Sequence, residues 1–130
     1  MSKVAVIMCK SYEYSQVKRA VEQGLELIGG ATAFVKPGEK ILLKPNLLVG
    51  EPPEKCVTTH PAVFKAVGEL LMDAGALLSY GDSPGFGKPE AAARKSGIME
   101  AARELHIEMV DFINGEEVSF AGGRQNKRFV

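Results

Sequence analysis

The apolar positions of this 130-residue chain form two patterns, short continuous runs and longer stretches with helical spacing. The continuous apolar run at residues 4–9 is typical of a strand that is covered on both faces. Residues 41–43, 77–80 and 107–112 are mainly apolar and also predict strands. Pro45 must end the second strand, because proline has no N–H to donate to a ladder. The chain is therefore predicted to contain about four strands of a buried sheet.

Stretches with helical spacing separate the first three runs. Ser15 is expected to cap a first helix that ends near Gly29, since glycine favours a helix C-terminus. Pro61 suits the first turn of a second helix, with Thr59 or His60 as its cap. These two helices are predicted to face the sheet with their apolar stripes.

The remaining segments combine helix, loop and turn signals. Residues 47–57 contain glycine and prolines and predict an irregular loop. Residues 89–105 have helical spacing that is broken at Ser96-Gly97, which predicts two short helices. Asn114-Gly115 favours a tight turn into an antiparallel extension at residues 118–121, and Gly122-Gly123 favours a second turn.

Alternating strands and helices predict an α/β fold. The expected form is a three-layer α/β/α domain, with a mainly parallel sheet of about four strands and an antiparallel extension near the C-terminus. Length and a hydrophobic content of 45% suit one domain over residues 1–130. Residues 127–130 resemble the start of another strand, so we expect the chain to be an N-terminal fragment of a longer one.

Composition narrows the expected partners and location. Sixteen basic and sixteen acidic residues give no net charge, so broad electrostatic binding to nucleic acid or to an anionic membrane is not expected. No run approaches the roughly 18 apolar residues that cross a bilayer, and no signal-peptide pattern is present. We expect a cytoplasmic protein in which Cys9 and Cys56 are reduced thiols outside any metal motif.

Most reactive side chains lie in three stretches, residues 44–46, 58–61 and 81–85, where strands end or a helix begins. In open parallel sheets, ligands bind outside the carboxyl ends of the strands. The first and third stretches are predicted to lie at such ends, and the second follows on the same side. We therefore expect them to form one functional surface.

Lys44 and Asn46 are the candidates in the first stretch. Lys44 can place a positive charge against a carboxylate or phosphate, and a desolvated lysine can also act as a base or form a Schiff base. Asn46 can orient a ligand through its amide. The alternatives are a solvated lysine, and an asparagine that bonds its own backbone in a turn.

Thr58, Thr59 and His60 precede the second predicted helix. The free N–H groups and positive dipole end of a helix favour a carboxylate or phosphate at this position. His60 also suits acid–base or metal chemistry. Plain capping of the helix by Thr59 or His60 is the alternative.

Asp82, Ser83 and Gly85 follow the third predicted strand. Asp82 is a candidate general base, metal ligand or hydroxyl acceptor, and Ser83 a candidate cap or phosphate ligand. Gly85 permits close approach of backbone to a ligand. Neither a nucleophile elbow nor a nucleotide-binding glycine motif is present, and the spacing of Cys56 and His60 is too weak a signal to predict a metal site.

Three ordered motifs, ILLKPNLL, VTTHPAVFKAV and YGDSPGFG, together resemble the N-terminal part of the DUF362 family of uncharacterised prokaryotic proteins. The resemblance implies that the signature positions of the family fall on Lys44, Asn46, Thr58, Thr59, His60, Asp82, Ser83 and Gly85. Similar proteins often continue into a ferredoxin-like segment that holds [4Fe–4S] clusters, which implies a downstream ferredoxin-like partner domain. This chain has no CxxCxxC run, so the cluster is assigned to no residue here and no cofactor is expected in the chain itself.

Two function hypotheses remain, and the sequence does not decide whether the domain is an enzyme. In the first, the domain is the anion-binding or catalytic part of an iron–sulfur-linked protein, with His60, Asp82 and Lys44 catalytic. The other candidates, Asn46, Thr58, Thr59, Ser83 and Gly85, then bind a carboxylate or phosphate substrate. In the second, the domain binds a ligand or docks a redox partner without catalysis.

Overall fold

Helices and strands alternate along most of the chain, for which a computed structural model describes residues 2–112, 114–115, 117–119 and 128–129. The elements in chain order are α1 (Tyr14–Leu27), β1 (Lys40–Leu43), α2 (Pro61–Asp73), β2 (Leu77–Tyr80), α3 (Pro89–Lys95), α4 (Ile98–Glu104), β3 (Glu108–Met109), β4 (Val118–Ser119) and β5 (Arg128–Phe129). Short 3₁₀ turns occupy Ala31–Ala33 and Pro53–Lys55. No helix among the described residues is long and apolar enough to cross a membrane.

The two long helices begin at side-chain caps. The carboxylate of Glu13 accepts hydrogen bonds from the N–H groups of Ser15 and Gln16, so Glu13 caps α1 and the predicted cap Ser15 lies inside the helix. A carboxylate two residues earlier satisfies the free N–H groups that a serine cap would otherwise satisfy. In α2 the cap is His60, and Pro61 occupies the first turn as predicted.

The sheet that organises the domain has three parallel strands in the order β1-β2-β3. Ile41 pairs with Leu78, and Leu43 pairs with Tyr80, so these four side chains share one face. The predicted α/β class with a parallel sheet is confirmed. Among the described residues this sheet has three strands and not the predicted four.

The core lies between this face of the sheet and the helices. Phe64 of α2 packs edge-on against Tyr80, with ring centroids 5.6 Å apart. Alanines of α3 and α4, together with Ile98 and Leu105, close the same cluster. α1 then packs against α2.

The opposite face of the sheet is open in the described part of the chain. There Leu42 and Leu77 are 46% and 57% exposed, although parallel sheets are usually covered on both sides. The described residues thus form two layers, and the predicted third layer is not confirmed.

The prediction of a first strand at residues 4–9 is wrong. They have no strand assignment and do not join the sheet, and Val4, Val6 and Met8 are 84%, 88% and 82% exposed. An apolar run favours a strand, but a strand exists only where another one supplies hydrogen-bonding partners. In the described residues no such partner is placed beside this segment.

The C-terminal segments agree with the prediction only in part. α3 and α4 are two short helices separated by a break at Gly97, whose φ of +78° suits glycine.

The strands near the C-terminus differ from the prediction. β3 is shorter than the predicted strand at residues 107–112. β4 and β5 pair antiparallel in a separate two-stranded sheet, so an antiparallel extension of the main sheet is not confirmed. The predicted turn at Gly122-Gly123 lies outside the described residues.

Candidate functional site

A buried carboxylate joins the ends of two strands. Asp82 follows β2, is 3% exposed, and its Oδ1 lies 2.5 Å from the Nζ of Lys44, which follows β1. Its Oδ2 accepts a hydrogen bond of 2.8 Å from the backbone N–H of Leu47. Because β1 and β2 are parallel neighbours, residues 44 and 82 leave the sheet at the same edge. Asp82 therefore anchors the loop after β1 to the loop after β2.

The surroundings of Asp82 favour its charged form. Burial acts to raise its pKa, but hydrogen bonds from Lys44 and from the N–H groups of Leu47 and Ser83, together with the charge of Lys44, hold the pKa below the ordinary value of 3.8. The carboxylate is therefore ionised at neutral pH. The Lys44 side chain is 57% exposed, so its ammonium also faces solvent.

Asn46 and Thr59 join the first stretch to the second. The backbone N–H of Asn46 donates to Oγ1 of Thr59 at 3.0 Å, and the N–H of Thr59 donates back to the carbonyl of Asn46 at 3.3 Å. These bonds use the backbone of Asn46 and leave its exposed side chain available to solvent. Oγ1 of Thr58 is buried and has no hydrogen-bond partner in the described structure.

His60 is tied to the start of α2. Its Nδ1 accepts a hydrogen bond of 3.1 Å from the N–H of Ala62, and its ring stacks on Tyr12 with centroids 3.7 Å apart. Burial lowers the pKa of His60, against a smaller opposing effect of the Glu54 charge. Within the described residues no hydrogen bond connects His60 to Lys44 or Asp82. The imidazole is thus a neutral helix cap beside the rest of the site.

The loop after β2 carries the other candidates. A Cβ at Gly81 would lie 2.6 Å from the ring of Phe112, so this close approach requires glycine. Ser83 is exposed. The N–H of Gly85 donates to the carbonyl of Leu48 at 2.7 Å, which joins this loop to the loop after β1 a second time.

Several residues that hold the site together were missed by sequence reasoning. Leu47 is fully buried in the core, Leu48 has a φ of +47°, and Gly50 packs so closely that a Cβ there would lie 2.3 Å from the Cα of Ala92. Left-handed backbone at a bulky residue is uncommon and is held in place here by the contacts on either side. The only sequence signal was the Leu47-Leu48 pair directly after a polar stretch.

The three stretches therefore meet at one edge of the sheet. We use the name strand-end rim for Lys44, Asn46, Thr59, Ser83 and Gly85, which surround the buried Asp82. Thr58 and His60 adjoin the rim through Thr59, but their functional atoms are engaged or buried elsewhere. Lys44, Asn46, Ser83 and Gly85 are the exposed members of the rim.

A cleft lies at a different place, between residues 7–12 and α1. Its volume is about 380 Å³, and it is lined by Cys9, Lys10, Tyr12 and apolar side chains that include Val17 and Val63. None of the predicted site residues lines it.

The chain has two cysteines that could serve as thiolate ligands of the cluster that the family resemblance implies. Cys9 and Cys56 are exposed free thiols. Within the described residues, no three His, Cys, Asp or Glu side chains are grouped so that they could hold a metal ion. This part of the chain therefore does not fit an iron–sulfur cluster, which needs several thiolate ligands.

Comparison with known families identifies the chain. A family model described as "Domain of unknown function (DUF362)" matches residues 41–130, which contain every residue of the strand-end rim. The chain belongs to the DUF362 family. The resemblance that the three motifs carry is thus confirmed.

A curated relative of this DUF362 chain is known from Synechocystis sp. (strain PCC 6803), where it is named a thylakoid-associated protein. The two are 38% identical over 112 residues, which is 86% of this chain and 35% of the relative. The DUF362 chain thus spans about a third of the relative's length. No solved structure matches it.

Proposed function

We propose that this DUF362 domain binds an anionic small molecule, a carboxylate or a phosphate, at the strand-end rim. The observation that carries the proposal is the ion pair between the exposed Lys44 and the buried Asp82, at the carboxyl ends of two parallel strands. A lysine that is held at its ammonium is pre-oriented, so less side-chain entropy is lost when it binds a ligand.

Recognition at this rim depends on directed hydrogen bonds more than on a positive field. The charges of Lys44 and Asp82 offset each other, but the ammonium has three donors and only part of it faces Asp82. The exposed side chains of Asn46 and Ser83 add an amide and a hydroxyl close by in the chain. Donors of this kind match the oxygens of a carboxylate or phosphate.

The geometry favours binding over catalysis by the predicted residues. Both carboxylate oxygens of Asp82 accept hydrogen bonds or an ion pair, and its lowered pKa makes it a weak base. Nδ1 of His60 is used by Ala62. We therefore assign positioning roles to Asp82, His60 and Thr59, and ligand contact to Lys44, Asn46 and Ser83, with the Gly85 loop beside them.

The proposal also covers the larger protein. By family resemblance, the larger protein is iron–sulfur-linked, and its cluster is held by a downstream ferredoxin-like segment and by no residue of this sequence. We assign ligand binding to the present domain and place the protein in the cytoplasm. The name of the Synechocystis relative supports a test of membrane association for this protein too.

Binding is tested by calorimetric titration with inorganic phosphate, malonate and citrate. We expect heat of binding from at least one of them, and a loss of affinity of about tenfold in Asn46→Ala and in Ser83→Ala, as for loss of one hydrogen bond to a charged group. Both side chains are exposed, so neither change should affect folding. Lys55→Met, at an exposed lysine of the 3₁₀ turn, is the matched control and should bind as the wild type does. Equal affinity in all four proteins contradicts the proposal.

A second candidate function is docking of a protein partner beside the rim. Leu48, Val49 and Phe86 are exposed on the two loops that the Gly85–Leu48 hydrogen bond joins. Exposed apolar groups next to polar ones are typical of interaction sites. Two results together would favour docking. None of the three anions binds, and Phe86→Ser abolishes association with the downstream ferredoxin-like domain supplied as a separate protein. Docking would then replace ligand binding as the proposed function of this edge.

A further inference from the structure

Residues 4–8 form a strand-like segment at the surface that pairs with no strand among the described residues. Val4, Val6 and Met8 are each more than 80% exposed, whereas Ala5 and Ile7 are half-buried. Side chains that alternate between two environments are the pattern of a β-strand with one covered face. A segment with this pattern is suited to pair with another strand.

The covered side of the segment is held against α1. The Cγ1 atom of Ile7 lies 3.5 Å from the position of a Cβ at Gly24, so α1 and the segment approach closely where α1 has no side chain. Two clefts, of about 380 and about 370 Å³, flank residues 7–10 along the same helix. The segment is thus docked on one side and incompletely packed around its edges.

The backbone of the segment also has no protein hydrogen-bond partner within the described structure. No backbone hydrogen bond of residues 4–8 is present among the described residues, although β1 and β2 pair through each of their residues. Backbone N–H and C=O groups are obligatory hydrogen-bonding groups, and an open apolar edge promotes pairing with a further strand. Three exposed apolar side chains on one face add area that another element can bury.

We propose that residues 4–8 become a β-strand by pairing with a strand from a part of this protein that lies beyond the 130-residue sequence. The relative provides the argument for this occupant, because the 112 aligned residues are only 35% of its length. The open face of the main sheet, with Leu42 and Leu77 exposed, is a second surface that further chain would cover. Strand addition within one chain needs no separate partner and supplies both backbone hydrogen bonds and apolar cover.

The decisive experiment is hydrogen exchange of the product of the complete reading frame, followed by mass spectrometry of N-terminal peptides. We expect amides of residues 4–8 to exchange about a hundredfold or more slower than an unstructured peptide, and to approach the protection of β2. In a protein made only of residues 1–130 they should exchange at close to the unstructured rate. Exchange at that rate in the complete product overturns the proposal, and so does a reading frame that ends at Val130.

Substitution distinguishes pairing within the chain from other occupants. Val6→Lys should leave the unfolding temperature of the 1–130 protein unchanged and lower that of the complete product, whereas the control Leu27→Lys, at an exposed apolar site of α1, should change neither. An equal effect of Val6→Lys in both proteins contradicts the inference. Protection that appears in the 1–130 protein only at high concentration assigns the segment to a second copy, and protection that requires lipid vesicles assigns it to a membrane; either result overturns the proposal.

Discussion

Two regions of this chain begin from the same kind of sequence and reach different structures. Residues 41–43 and residues 4–9 are both apolar runs that are followed directly by a lysine. The first run lies in β1, which pairs with β2, and it places Lys44 at the strand-end rim. The second run pairs with no strand in the described structure, and its three outward side chains face solvent. A strand-forming pattern thus produces a strand only where a second strand is available to pair with it.

The comparison is tested most strongly at Leu47, which follows β1 and is fully buried. Leu47→Ala should lower the free energy of unfolding by about 2–5 kcal/mol, because it removes core contacts and leaves a cavity. Urea denaturation measures the change. A loss below about 1 kcal/mol would show that the loop after β1 does not pack on the core.

The next largest effect is expected at Asp82. Asp82→Asn removes the charge that pairs with Lys44 and weakens the hydrogen bond from Leu47, so the free energy of unfolding should fall by about 2–3 kcal/mol near pH 7. Asp73→Asn, at the exposed end of α2, is the control and should change it by less than about 0.5 kcal/mol.

The same variant makes a prediction about pH. The folded-state pKa of Asp82 is lowered, so its contribution to stability is present above the ordinary value of 3.8 and is lost as the pH falls through the folded pKa. The stability difference between wild type and Asp82→Asn should therefore shrink below about pH 4. Urea denaturation of both proteins between pH 7 and pH 2 measures it, and a constant difference would assign the effect of the mutation to packing.

A smaller effect is expected from the cap of α2. His60→Ala should cost about 0.5–2 kcal/mol at pH 8, and His60→Asn should retain most of the stability, since asparagine is a good N-cap. Burial lowers the pKa of His60, so the contribution of the cap is present above the ordinary value of 6.5 and is lost as the pH falls through the folded pKa. Thermal unfolding of both variants at pH 8 and pH 5 checks the assignment. Equal losses in the two variants would mean that the stack on Tyr12, not the cap, holds the ring.

The smallest effect is expected at Val6. Val6→Ala should change the stability of the 1–130 protein by less than about 0.5 kcal/mol, because an exposed side chain loses little on truncation. Together with the large loss at Leu47, this result would establish the contrast between the two apolar runs. A loss comparable to that of Leu47→Ala would show that residues 4–9 are packed as the sequence predicts.

Local sequence signals predicted helix boundaries correctly where the backbone conformation depends on only a few neighbouring residues. Pro61 predicted the start of α2, and Ser96-Gly97 predicted the break between α3 and α4, because proline and glycine constrain the backbone without help from distant residues. The family resemblance was likewise readable from three motifs, and the matched residues 41–130 contain all of them.

The roles of the site residues were less predictable. Asp82 and His60 are ionisable residues at suitable positions, and the sequence made them candidates for acid–base chemistry. The structure instead surrounds Asp82 with donors from Lys44 and Leu47, and directs Nδ1 of His60 to the backbone of α2. Which donors surround a side chain depends on chain segments 35 or more residues away, as in the bond from Leu47 to Asp82.

The sequence by itself thus determined the order of helices and strands from α1 to β3, the helix boundaries at proline and glycine, and the gathering of polar residues after β1 and β2. Only the tertiary structure decided that, in the part of the chain that is described, residues 4–9 lie outside the sheet and one face of the sheet is open, and that Asp82 is buried in an ion pair. The physical reason is that backbone preferences and side-chain periodicity act locally, whereas strand pairing, burial and pKa depend on which distant atoms replace water around a group.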